Sequence, residues 1–150
     1  MHPFVHRGTG FAFLQWNVDQ SVGKGGQNGS AVDVSYIQWY YVLAAMQAQT
    51  PPDRKAIYGR VKVTGVCLGR DGDPLVDAIT AHQRAISHPI VDGRISVATG
   101  HGQVGAKAFF VLRLGARLAN MYPRLWPRLD LIPGCPQIVA QAVLAAIPHP

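Results

Sequence analysis

The sequence contains no glutamate. Its 150 residues carry eight aspartates as their whole acidic complement, against fourteen Lys and Arg and a formal net charge of +6. Glycoside cleavage of the glutamic-acid kind is thereby excluded unless aspartate fills both carboxylate roles. Cysteine is almost as scarce, with only Cys67 and Cys135. Two cysteines permit one bridge or two buried thiols, and spacing does not choose between them. Neither C-x-x-C nor H-E-x-x-H occurs, and His82 and His88 have no i,i+4 partner, so no metal site and no cofactor is expected. No apolar run reaches the roughly 18 residues that cross a bilayer, so no membrane span is expected. The opening MHPFVHRGTGFAFLQW lacks a basic stretch followed by an apolar one and does not read as a Sec leader. The basic residues are scattered rather than gathered in a stripe with aromatics, which argues against nucleic acid as a partner.

What is present suits one folded domain. Apolar residues make up 48% and charged residues 15%, a balance that favours a packed core over disorder. Residues 1–20 alternate weakly and read as an extended arm or short strand. Ser21–Ser30, SVGKGGQNGS, is glycine-rich but lacks the G-x-x-x-x-G-K-[ST] spacing of a phosphate loop, so an ordered turn before a helix is expected. From Ala31 to Gln47, Val34, Ile37, Tyr41, Ala44 and Ala45 form a helical core stripe. Tyr36, Tyr40 and Leu43 lie on another face, which is either a sugar-stacking platform or a second buried face; the helical segments that follow favour burial.

Thr50-Pro51-Pro52-Asp53 breaks this helix, and Arg60–Cys67 reads as a short extended segment. Asp73 is a strong N-cap and Pro74 suits the first helical position, so a helix is expected over Pro74–Ile86. Leu75, Ala78, Ile79, His82 and Ile86 mark its apolar face. Pro89 stops it, Asp92-Gly93 makes a turn, and Ile95–Val97 is strand-like. Gln103–Tyr122 and Gln137–Ile147 are further helical patterns, separated by an apolar, proline-rich wrap. The last helix carries no charge, so most of it should be buried in this chain or against a partner.

Taken in order, these segments resemble the small three-helix peptidoglycan-binding domain found beside cell-wall hydrolases. The pattern D-V-x-x-[LI]-Q-x-x-L is matched by Asp33, Val34, Ile37, Gln38 and Tyr41. A first turn is matched by Thr64-Gly65, the helix T-x-x-A-[VI]-x-x-F-Q by Ala78-Ile79 running to His82-Gln83, and a [VP]-D-G turn by Val91-Asp92-Gly93. Thr64 stands for the usual Asp, Leu75 for the usual Thr, and His82 for the usual aromatic. The V-G-x-G-G-x-N lead-in is similar to that of some type VI secretion-associated proteins. The resemblance implies a mostly α fold: a three-helix module over 21–100 with short extended turns, plus a C-terminal helical extension over 101–150 packed on it as one domain.

It further implies non-catalytic binding of peptidoglycan, through stem peptide or glycan, in the periplasm or cell wall after non-classical export. Otherwise the chain is expected to be cytoplasmic. Arg70, Gln83, Asp92 and Arg94 are the candidate ligand-binding residues, because they flank the two family turns and could hydrogen-bond stem-peptide carboxylates and amides. A module docking a protein partner, such as a secreted toxin, is the alternative; a small wall-processing enzyme is the third. For that enzyme a Cys67/His82/Asp71 set could be drawn, but no nucleophile motif surrounds Cys67. Asp71 and Asp73 begin like a calcium loop that lacks its later acidic ligand.

Overall fold

The computed structural model describes residues 1–102 and 108–148. The chain opens with an antiparallel hairpin, β1 (His2–Gly8) and β2 (Phe11–Asn17), with His2 opposite Asn17 and Gly8 opposite Phe11. Phe4 and Val5 on one arm, and Phe11, Phe13 and Trp16 on the other, are strand-favouring residues, and Thr9-Gly10 permits the reversal. A second ladder, β3 (Val22–Gly23) with β4 (Arg94–Ile95), joins the glycine-rich loop to the Asp92-Gly93 turn. The expected mostly α, three-helix module is therefore corrected. The described residues form five α-helices and two small antiparallel sheets, 42% helix and 13% strand, a mixed α/β architecture.

Helix α1 (Ala31–Met46) begins at Ser30, whose Oγ accepts the Asp33 N–H at 3.1 Å. It is apolar nearly all round, so it runs through the core with α2, α5 and β3 against it. Tyr36, Tyr40 and Leu43 are buried, which removes the sugar-stacking alternative for that row. The double proline does more than break the chain. Pro52 takes the first position of α2 (Pro52–Tyr58), a helix the sequence reading omitted. Arg60–Cys67, expected to be extended, joins no ladder, and Val63 and Val66 are exposed.

Helix α3 (Pro74–Ala85) starts as expected: Asp73 Oδ1 accepts the Leu75 N–H at 2.8 Å. Helix α4 (Phe110–Met121) covers the C-terminal part of the pattern drawn from Gln103; residues 103–107 lie outside the described residues. Gly115 on α4 admits the hairpin. A Cβ there would stand 2.0 Å from Gln15 Oε1, while Gln15 Nε2 donates to Leu112 O at 3.2 Å. Trp16 Nε1 donates to Pro127 O (2.8 Å) and Trp126 Nε1 to Leu14 O (3.0 Å), tying the hairpin to the C-terminal segment. Helix α5 (Gln137–Ala146) buries only Val139 and Val143 against the core. Of the two alternatives for this uncharged helix, burial within this chain is only partial, since Ile138 and Leu144 remain exposed.

Two buried glutamines hold the turns. Gln38 Oε1 accepts the N–H groups of Thr64 (2.8 Å) and Gly65 (3.0 Å), while its Nε2 donates to Thr64 Oγ1 (3.1 Å) and Val66 O (3.0 Å). Gln83 repeats the arrangement. Its Oε1 accepts from Asp92 (3.1 Å) and Gly93 (2.9 Å), and its Nε2 donates to Asp92 Oδ1 (3.2 Å) and Arg94 O (3.0 Å). Gly65 (φ 73°) and Gly93 (φ 70°) sit at the same left-handed position of the two turns, which favours glycine. Gln38 thus holds residues 64–66 as a turn, which is why no strand forms there. Replacing either glutamine by Met keeps the length and strands inward-facing N–H groups. Gln38→Met and Gln83→Met should each lose about 2–4 kcal/mol in urea unfolding, against less than about 0.5 for exposed Gln141→Met.

Candidate functional site

The Asp92-Gly93-Arg94 turn and the start of α4 face one another across a groove of about 310 Å³. Three of the four candidate residues line it: Gln83, Asp92 and Arg94. Gln83 is 1% exposed and committed at both ends of its amide, so it braces the wall. Asp92 Oδ1 accepts the Arg94 N–H at 2.9 Å, and the Arg94 guanidinium lies 3.6 Å from Asp92 Oδ2 with much of its side chain in solvent. That exposed pair leaves guanidinium donors turned outward. The opposite wall is apolar, with Ala108, Phe109 and Phe110, and Ile90 completes the rim. His88 also lines the groove, donates from Nδ1 to Ile90 O (2.8 Å) and meets Phe110 edge-on at 5.2 Å.

Arg70 is not brought to this groove. It is exposed on the loop before α3, where its carbonyl accepts the Asp73 N–H at 3.2 Å and the neighbouring Asp71 pairs with Lys24 at 2.9 Å. The sequence reading missed Ser96, just past the turn, and Ala108, Phe109 and Phe110 at and before the start of α4, a segment remote from it. Cys67 and Cys135 are both free thiols. Burial pushes the Cys67 thiol up and the Cys135 thiol up to about 11, the opposite of what a nucleophile needs. Among the described residues no group of three His, Cys or Asp could hold a metal ion.

His82 occupies the core-facing place anticipated for it. Its ring is parallel to Tyr40 at 5.8 Å, edge-on to Tyr41 at 5.8 Å and Phe110 at 5.0 Å, and tilted against Tyr58 at 6.0 Å. The Tyr41 hydroxyl and His82 Nδ1 are hydrogen-bonded at 3.3 Å. Burial, and then the charges of Arg54, Arg117, Arg113 and His88, hold His82 down to about 4. The three arginines come from α2 and α4 and were not singled out in sequence; Arg113 and Arg117 are spaced four apart, which places them on one helix face.

Comparison with family models, with curated proteins and with solved structures returned no match. The peptidoglycan-binding resemblance therefore rests on the motifs alone.

His82 should make the fold acid-sensitive. The unfolded chain takes up the proton near pH 6.5, whereas the folded chain resists it until about pH 4. Its contribution to stability is therefore lost as pH falls through that window, by about 2 kcal/mol between pH 7 and pH 5. His82→Phe removes the titrating group and keeps an aromatic. Urea unfolding at the two pH values should show the variant losing less stability than the parent chain by that amount.

Proposed function

We propose that this chain binds peptidoglycan without catalysis, taking stem peptide in the groove between the Asp92-Gly93-Arg94 turn and the start of α4. The observation that carries this reading is convergence: Gln83, Asp92 and Arg94, chosen from motif positions, line a single groove with an outward guanidinium and an apolar far wall. Arg94 suits a stem-peptide carboxylate through a charge-assisted contact, and the Phe109–Phe110 side suits aliphatic side chains. The raised Cys67 thiol supports binding over covalent chemistry. A docked protein is the second reading, favoured by Ile90 and Val91, which are exposed beside the groove.

Purified sacculi should pull the protein down without loss of turbidity or release of muropeptides. Arg94→Ala should weaken that binding about ten-fold or more, as expected for roughly 1.5–3 kcal/mol from one charge-assisted contact, with little change in melting temperature. Arg60→Ala and Arg70→Ala, outside the groove, remove the same charge and should have small effects. Equal weakening by all three would reduce the attraction to the diffuse, salt-screened pull of a basic protein. Muropeptide release that disappears in Cys67→Ala would overturn the non-catalytic reading, and no binding at any ionic strength would favour the docked protein.

A further inference from the structure

We propose that a second recess, the cleft between α1, α2 and α4, is a binding site for a small anion carrying a phosphoryl group. It is distinct from the groove and does not depend on the peptidoglycan reading. The cleft has a volume of about 460 Å³, within the roughly 300–1,000 Å³ of small-molecule sites. Arg54 approaches from α2, Arg113 and Arg117 from α4, and Tyr40, Tyr58 and His82 also line it.

The charge balance is the reason for the assignment. No aspartate lines the cleft, and among the described residues no ion pair joins Arg54 or Arg117 to a carboxylate. Arg54 and Arg117 at one cleft repel one another, and the field of the cleft arginines contributes to the low proton affinity of His82. An anion that entered would relieve both. A single carboxylate offers two coplanar oxygens and one charge, which one guanidinium fork satisfies. A phosphoryl group presents three oxygens and up to two charges, so it can engage forks arriving from two helices. The aromatic surroundings lower the local dielectric and strengthen such contacts.

The test is calorimetric titration of the whole chain with inorganic pyrophosphate at pH 7 and low ionic strength. Saturable one-to-one binding is expected, weakened about ten-fold by Arg117→Gln and by Arg54→Gln. Arg117 is exposed at the mouth, so its variant keeps the fold and the assay valid. Arg7→Gln, on the exposed hairpin edge, should bind like the parent chain; equal loss there would mean diffuse attraction and overturn the site. Citrate binding as tightly as pyrophosphate would overturn the phosphoryl assignment, and absence of pyrophosphate binding would overturn the proposal altogether.

A second readout locates the ligand. His82 is faced by Tyr40 and Tyr41 from α1, Arg54 and Tyr58 from α2, Arg113 and Arg117 from α4, and His88 beyond α3. Neutralising the arginines should raise the midpoint of the His82 imidazole resonance in a pH titration by nuclear magnetic resonance. A midpoint unmoved by bound pyrophosphate would place the anion elsewhere and overturn the assignment.

Discussion

The fold depends on two side-chain amides that stand in for missing backbone partners. A glutamine amide carries the same donor and acceptor as a peptide group, so it can close a turn as a neighbouring strand would. Gln38 does this from α1 and Gln83 from α3, each accepting two N–H groups and donating twice. The likeness extends to the first turn residue. Thr64 Oγ1 accepts the Val66 N–H (3.2 Å) as Asp92 Oδ1 accepts that of Arg94 (2.9 Å), so a hydroxyl fills the role for which the family resemblance supplies an aspartate. Because these amides are buried, loss of one would leave polar groups without water or a partner, which is costlier than the bonds themselves suggest. The 92–94 turn is consequently held at a fixed height over α3. From there β4 reaches β3, and the Lys24 N–H donates to Gly93 O at 2.9 Å.

A different constraint joins the two ends of the chain. The hairpin has only two strands, which is marginal alone. It is stabilised by the third of the chain farthest from it in sequence, through the indole bonds of Trp16 and Trp126 and the stacking of Phe13 on Trp126 at 6.2 Å. Helix α4 meets β2 closely because residue 115 has no side chain. Leu112, Leu114 and Leu118 on α4 and Val139 and Val143 on α5 belong to the same core as Val34 and Ile79. Helices α4 and α5 thus share one core with the segments before residue 100.

What was legible in sequence follows from the range of the interactions involved. The starts of α1 and α3 were readable because Ser30, Asp73 and Pro74 act on residues within one turn. The Asp92-Gly93 turn was readable for the same reason, and so was the inward place of His82; a turn at Thr64-Gly65 was implied only by the family resemblance. The hairpin was not, since His2, His6 and Arg7 blur its alternation and its anchors lie beyond residue 110. Helix α2 was hidden because a double proline signals a break and a helix start equally. The Arg60–Cys67 valines mimic a strand, yet Gln38 imposes a turn from outside that segment. As for the groove, one wall was visible as a motif; the other comes from the start of α4, which no local signal connects to it.

The two recesses share a partition. Phe110 lines the groove, contacts His88 there, and also meets His82, which lines the arginine cleft. A chain of this size places both recesses around one aromatic cluster because α4 is the element that closes each of them. Their chemistry nevertheless diverges. On the groove side the cation, Arg94, has a carboxylate within its own turn, which limits the field it projects. On the cleft side, among the described residues, no ion pair joins Arg54 or Arg117 to a carboxylate, and the buried aromatics beneath them screen little. The absence of glutamate sharpens this contrast, because few carboxylates remain to neutralise arginines that the fold gathers from distant segments. Substitution of Phe110 would disturb both recesses at once, whereas Arg94 and Arg117 each touch one. Only such rim residues can perturb one recess and leave the other intact.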